Sequence, residues 1–229
     1  MPLLVFNYKP SFAIIGDIVK SKELPDRKAI QENLTKILSE VNEIYSQSIG
    51  SRFMITLGDE FQGLLNDGYH VIDIIEKIDR EMYPVKIRFG VGVGEILTDF
   101  EFDTPLSADG PAYYNARKMI NTLKENEKKN MEAKSDVCIE IDGYSDISLL
   151  INSIYALNSY IKSGWKPKQR ETIKAHIECN GTQRITALKL AVNQSTVQRA
   201  LDAAGFYTYQ NALKSIKSIF SCIGESQDD

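Results

Sequence analysis

The sequence predicts an α+β chain in two parts, a mixed sheet-and-helix part followed by a part built of helices alone. Three observations predict it. Apolar residues run continuously through Phe12–Ile15 and fall strictly at odd positions from Val85 to Val93, the patterns of buried strands. Between such stretches they recur every three or four positions, the pattern of amphipathic helices. After Tyr144 the strand-like stretches stop, and turn residues separate one helical segment from the next.

Residues 12–18 read as a buried strand that ends on the carboxylate Asp17. Leu24, Ile30, Leu34, Ile37, Leu38, Val41 and Ile44 then mark a helix over residues 24–46. Residues 52–66 form two strands with Gly58-Asp59 at the bend, residue types that tolerate the positive φ of a two-residue hairpin turn. A helix over about 68–81 carries Val71, Ile74, Ile75 and Ile78 on one face. A strand over 85–96, a helix over 110–126 and a strand over 136–142 follow. This β-α-β-β-α-β order is the split βαβ, or ferredoxin-like, arrangement, and it sets the first strand beside the hairpin. The first domain is therefore expected over residues 1–145 and a helical one over 146–229. Within the latter, residues from about 168 to 205 read as a helix-turn-helix. Ala187, Ala191 and Val197 have the spacing of the small residue, the turn and the apolar residue that pack two such helices, and Leu190 and Leu201 complete the wedge. Ala191 stands where a turn glycine is usual.

With 229 residues, 43% apolar and 25% charged, the chain can bury a proper core and has ordinary globular composition. No apolar run approaches the roughly 18 to 20 residues of a membrane span, and Met1 opens no signal-peptide pattern, so no membrane span is expected. Cys138, Cys179 and Cys222 are scattered and odd in number. They suit neither a disulfide framework nor a zinc site, and a reducing cytoplasm is expected. Charge divides unevenly. Residues 1–150 hold 17 Lys and Arg against 25 Asp and Glu, whereas residues 151–220 hold 10 against 3, which suggests two modules with different partners. The charged run Lys124–Lys134 reads as a solvated face.

If the first strand pairs with the hairpin, Asp17, Asp59 and Glu60 gather at one sheet edge. Clustered carboxylates repel unless a cation sits between them, and oxygen-only ligation suits Mg²⁺ or Mn²⁺ carrying a phosphate ester. Ser21 is expected to cap the helix that starts near Leu24, where free backbone amides could cradle phosphate. Lys20 and Lys22 either neutralise that phosphate or are plain surface lysines. Glycines 90, 92 and 94 either admit a ligand to the backbone or make room for a helix or a dimer partner. Trp165 is expected to anchor packing between the modules. Gln194, Ser195, Thr196, Gln198 and Arg199 would face DNA from the second helix, or the unit serves packing and protein contact instead.

These residues carry a family resemblance. Gly16-Asp17-Ile18-Val19-Lys20-Ser21, Leu57-Gly58-Asp59-Glu60-Phe61-Gln62-Gly63-Leu64, Arg88-Phe89-Gly90-Val91-Gly92-Val93-Gly94, and Asp109-Gly110-Pro111-Ala112 with Ala116-Arg117 resemble the SatD family over nearly the whole chain. The N-terminal part also resembles the palm domains of class III nucleotide cyclases and GGDEF diguanylate cyclases. The resemblance implies that Asp17 and Asp59 hold metal, that Glu60 shares that duty, and that Arg117 meets transition-state charge. It places Ile18, Lys20, Ser21 and Gly58 about the phosphates of a nucleoside triphosphate, and it implies a homodimer. Two departures stand out: Ile55 occupies the place of the cyclase lysine that reads adenine, and Tyr113 that of an asparagine, with Asn115 nearby. The expected function is a metal-dependent, cyclase-like nucleotide-binding module coupled to a DNA-binding helix-turn-helix. The alternative is a transcriptional regulator or protein-interaction scaffold with a catalytically inactive palm domain.

Overall fold

The structure, a computed structural model, describes residues 4–99, 101–105, 108–129 and 134–225. It divides into two compact units, Met1–Ala156 with Ile216–Asp229, and Leu157–Ser215. The first unit carries β1 (Leu4–Phe6), β2 (Ser11–Ile18), a 3₁₀ turn (Ser21–Glu23), α1 (Arg27–Ile44), β3 (Ile49–Leu57) and β4 (Glu60–Leu65). Then come α2 (Val71–Met82), β5 (Ile87–Gly94), α3 (Pro111–Asn126) and β6 (Val137–Ile141). Five strands make one sheet in the order β3-β4-β2-β5-β6. The first four run antiparallel to their neighbours and β6 joins β5 in parallel, after the α3 crossover.

β2 is central and buried on both faces, which is why its sequence is continuously apolar rather than alternating. Ala13 and Ile15 join Ala112, Tyr113, Ala116 and Ile120 in the core beneath α3. Ile18 points the other way and shares a small cavity with Leu24, Ile30 and Gln31 at the start of α1. Gly16 is required on that second face: a Cβ there would lie 2.1 Å from the Phe61 ring, which crosses the strand. Gly90 and Gly92 answer the question the sequence left open, because their open faces are filled by α3. A Cβ on Gly90 would meet the Ala116 carbonyl oxygen at 2.3 Å, and one on Gly92 the Ala112 carbonyl oxygen at 1.9 Å.

The outer edges of the sheet are held by two asparagines. On β3, Asn42 accepts from the Phe53 amide at 2.8 Å and donates to its carbonyl at 2.9 Å. On β6, Asn152 does the same for Ile139 at 2.7 and 2.8 Å, and the Ile141 amide donates to Ser148 at 2.8 Å. Ser148 and Asn152 lie in the first half of α4 (Ser145–Ser163), so that half belongs to the first unit and the division falls later than residue 145. The chain end also returns: β7 (Ile223–Glu225) pairs in parallel with β1, and Phe220 packs on Phe12 with ring centroids 6.0 Å apart. Pairing over such a sequence separation leaves no local signal.

The second unit holds α5 (Pro167–Glu178), α6 (Gln183–Lys189) and α7 (Gln194–Ala203), and the division falls again within α8 (Phe206–Phe220). Its core is Ile173, Ala187, Val197, Leu201, Ala204 and Phe206, with Trp165 and Ile177 against it. Trp165 anchors this unit from inside, donating from Nε1 to the Ala204 carbonyl at 2.7 Å and stacking edge-on against Tyr209.

Gly92→Ala is expected to cost about 1–3 kcal/mol, the price of overpacking where the obstacle is backbone rather than a flexible side chain. Urea unfolding would measure it; a loss below about 0.5 kcal/mol would mean that α3 can lift off β5 freely.

Candidate functional site

Cross-strand register puts three charged side chains on the α3 face of the sheet. Asp17 on β2 stands opposite Glu60 on β4 and opposite Arg88 on β5. Arg117, Lys124 and Glu127 reach down from α3 and its C-terminal cap. Each charge meets its opposite. Arg88 binds Asp17 through Nη1 and grips Glu127 with Nε and Nη2, the former at 2.6 Å. Lys124 Nζ lies 2.8 Å from the other Asp17 oxygen. Arg117 clasps Glu60 through both terminal nitrogens, one of them at 2.7 Å. Burial alone would lower the Arg88 pKa; hydrogen bonds and charge from Glu127 and Asp17 more than reverse this. Three acids and three bases thus form a closed, mutually neutralised network.

Asp59 stands apart from that network. Its carboxylate accepts the Ser21 hydroxyl, and its backbone carbonyl accepts the Ile18 amide at 3.2 Å. Gly58 takes the positive φ of the turn, +63°, and its carbonyl accepts from Gln31. Ile18, Ser21 and Asp59 line a cavity of about 10 Å³, room for one water and far too little for a triphosphate. Ser21 therefore holds the hairpin rather than capping a helix. The cap of α1 is Asp26, which accepts from the Ala29 amide at 3.1 Å. Lys20 pairs with Glu23 at the surface. Tyr113 belongs to the core beneath α3, where burial raises its pKa, and Asn115 donates to the Val93 carbonyl.

Of the three carboxylates expected around one ion, the structure sets Asp17 and Glu60 side by side and ties Asp59 to Ser21. Asp17 and Glu60 share a face, but both oxygens of each already carry cationic partners, while Asp59 is engaged with Ser21. Among the described residues no group of three or more His, Cys, Asp or Glu could hold a metal ion. Mg²⁺ or Mn²⁺ does not fit a donor set whose charge Arg88, Lys124 and Arg117 have already cancelled. Sequence reading missed Arg88, Lys124 and Glu127. The available signal was the seven-residue spacing of Arg117 and Lys124, which puts them on one face of α3. Lys124 and Glu127 thus spend their charge on this network while Glu127 stays exposed as expected for its run, and residues 130–133 of that run lie outside the described residues.

In the second unit α6 and α7 are joined by residues 190–193, with Ala191 at φ +53° where a glycine would be easiest. Ala187, Val197 and Leu201 are buried as their spacing requires, whereas Leu190 at the end of α6 is only half-buried. Gln194, Ser195, Thr196, Gln198 and Arg199 are all exposed. The unit carries nine Lys and Arg against three Asp and Glu. His176 lies in its interior, edge-on to Phe206, with Nδ1 3.1 Å from the Thr186 hydroxyl. That hydroxyl spends its one proton on the Thr182 carbonyl, so Nδ1 is the donor. Burial lowers the His176 pKa.

The SatD family model matches residues 11–220. The chain belongs to the SatD family. No curated protein matches this SatD-family chain by sequence. Among solved structures it is similar to a bacterial light-regulated adenylyl cyclase, at 13% identity and a TM-score of 0.42 over 57% of this chain and 74% of that one. It is also similar to the adenylyl cyclase CyaB from P. aeruginosa, at 18% identity and a TM-score of 0.39 over 62% and 82%. A third is the dimeric guanylyl cyclase domain of RhoGC from the aquatic fungus Blastocladiella emersonii, at 18% and 0.38 over 53% and 78%. At such identities and scores these likenesses decide nothing about activity, which rests on the SatD chain's own residues. No helix among the described residues is long and apolar enough to cross a membrane.

Millimolar Mg²⁺ or Mn²⁺ is expected to leave the thermal unfolding temperature unchanged. A site filled a hundredfold above its Kd would add about 2.7 kcal/mol and shift it by several degrees, which would overturn the argument. Arg88→Met, which leaves the buried Asp17 with Lys124 alone, should cost about 3–5 kcal/mol in urea unfolding.

A second expectation concerns pH. Because the folded state lowers the His176 pKa, its contribution is intact above the ordinary value of 6.5 and is lost as pH falls below it. Thermal melts between pH 7.5 and 5 should show the loss, and His176→Asn should remove that slope.

Proposed function

We propose that this protein is a DNA-binding regulator, with α6 and α7 acting as a helix-turn-helix and a cyclase-like palm domain that serves sensing or dimerisation rather than catalysis. The observation that carries the reading is the split face of α7. Val197 and Leu201 anchor the helix in the core while Gln194, Ser195, Thr196, Gln198 and Arg199 are exposed to solvent. A helix so mounted can enter a major groove, where amide, hydroxyl and guanidinium groups read base edges. The basic balance of the unit supports phosphate contact, with Arg184 on α6 exposed for it and Lys189 there paired with Glu178. A homodimer, as the cyclase resemblance implies, would suit two half-sites about one helical turn apart, roughly 34 Å.

The rival reading is a nucleotidyl-transfer enzyme in which Asp17, Asp59 and Glu60 hold Mg²⁺ or Mn²⁺ and Arg117 meets the phosphates of a nucleoside triphosphate. It would require Asp17 and Glu60 to give up Arg88, Lys124 and Arg117. The cavity beside Asp59 is too small for a triphosphate, and a roomy open groove of about 550 Å³ is lined instead by Arg117 with Tyr114, Lys118 and Glu125. A nucleotide bound without catalysis, as a regulatory signal, remains consistent with the palm resemblance.

Fluorescence anisotropy with duplex DNA at about 50 and 200 mM salt tests the regulator reading. Binding is expected at low salt, falling steeply at high salt as phosphate-bound counterions are recaptured. Arg199→Ala should weaken it about tenfold, in the range of one lost base or phosphate contact. Absence of binding at low salt would discard the reading.

A further inference from the structure

The amide side chains of α6 and α7 are tied into one network. Gln183, the first residue of α6, donates from Nε2 to Gln198 Oε1 at 2.7 Å and to the Tyr207 hydroxyl at 2.8 Å. Its Oε1 accepts from Gln194 Nε2 at 3.5 Å. Gln198 in turn donates from Nε2 to Asp202 Oδ2 at 3.0 Å. An ionised carboxylate only accepts, so the nitrogen of Gln198 must face Asp202 and its oxygen must face Gln183. Turning that amide over would lose both bonds and set nitrogen against nitrogen. Gln183 is oriented by the same bookkeeping, with both N–H groups spent and its oxygen turned to Gln194.

What remains unspent is informative. Gln198 keeps one N–H and one acceptor site, and Gln194 one N–H and its carbonyl oxygen, on exposed side chains. A donor beside an acceptor on one amide is the complement of adenine in the major groove, which offers an acceptor at N7 and a donor at N6. Guanine offers two acceptors there and would leave the amide oxygen opposed. A free glutamine loses rotamer freedom when it binds, and these two have surrendered part of it beforehand.

We propose that Gln183 is a positioning residue that presets Gln198 and Gln194 to read adenine in the major groove. This rests on the DNA-binding reading given above. Gln183 itself acts through its two neighbours, and Asp202 fixes which end of Gln198 is the donor.

The test is selection from a random duplex library with the full chain at about 50 mM salt. Affinity is then measured on the selected duplex and on the same duplex with 7-deazaadenine, which lacks N7, at the selected adenine. The intact chain should select an adenine and lose about tenfold on the deaza duplex, the size of one bidentate base contact. Gln183→Ala should keep the salt dependence and non-specific affinity but lose most of that tenfold. Gln183→Glu, which can still accept from Gln194 but cannot donate to Gln198, should behave in the same way. Gln198→Ala should show no deaza penalty. Selection of the same adenine with an undiminished penalty by both Gln183 variants would overturn the positioning role and leave DNA binding standing. Failure of the intact chain to enrich any sequence would remove both.

Discussion

Gly90 and Gly92 bring the backbone of α3 against the backbone of β5, and the charged layer above the sheet exists only because of that approach. At this separation Arg117, Lys124 and Glu127 can touch Glu60, Asp17 and Arg88, and no charge in the layer lacks an opposite. Were the helix held off by a methyl group on each glycine, six ionised groups would face one another across a gap too narrow to hydrate well. The Arg88–Asp17 pair is buried and costly to break singly, whereas the pairs of Arg117, Lys124 and Glu127 are partly exposed and each contributes less. Their effect is to fix where α3 stops along the strand, since sliding by one turn would leave every pair unmatched.

That arrangement also explains how much of the first unit was legible. Strand and helix periodicity located every element of the central sheet, and the hairpin at Gly58-Asp59 was plain from its turn residues. Side-chain partnership was not. Asp17 and Glu60 do meet across the ladder, as the hairpin suggested, but whether a carboxylate pair awaits a metal or is already neutralised depends on what α3 brings. Arg88 sits among alternating residues where only the register with Asp17 gives it meaning, and register over seventy residues has no local signature. Ser21 and Asp26 show the same limit on a smaller scale: both are good caps, and tertiary contact with Asp59 decided which one capped.

The second unit was easier to read because its logic is local. The spacing of Ala187, Ala191, Val197 and Leu201 reports contacts within about fifteen residues, so pattern and packing coincide. Ala191 is the one place where the residue type argues against the conformation. It takes a left-handed φ that costs an L residue on the order of 1 kcal/mol, and the buried side chains on either side hold it there. What spacing did not reveal was the tie between the first residue of α6 and the exposed amides of α7, because Gln183 lies outside the packed seam.

The two asparagines on the outer strands have a further consequence. Each carboxamide presents one donor and one acceptor to a single residue of the edge, as a neighbouring peptide group would, so the middle of each outer strand already behaves as though it had a partner. An extended segment from another molecule would have to evict a helix-borne side chain before it could zip on. The sheet is thereby guarded against recruitment into fibrillar stacks without spending prolines or bulges at those positions.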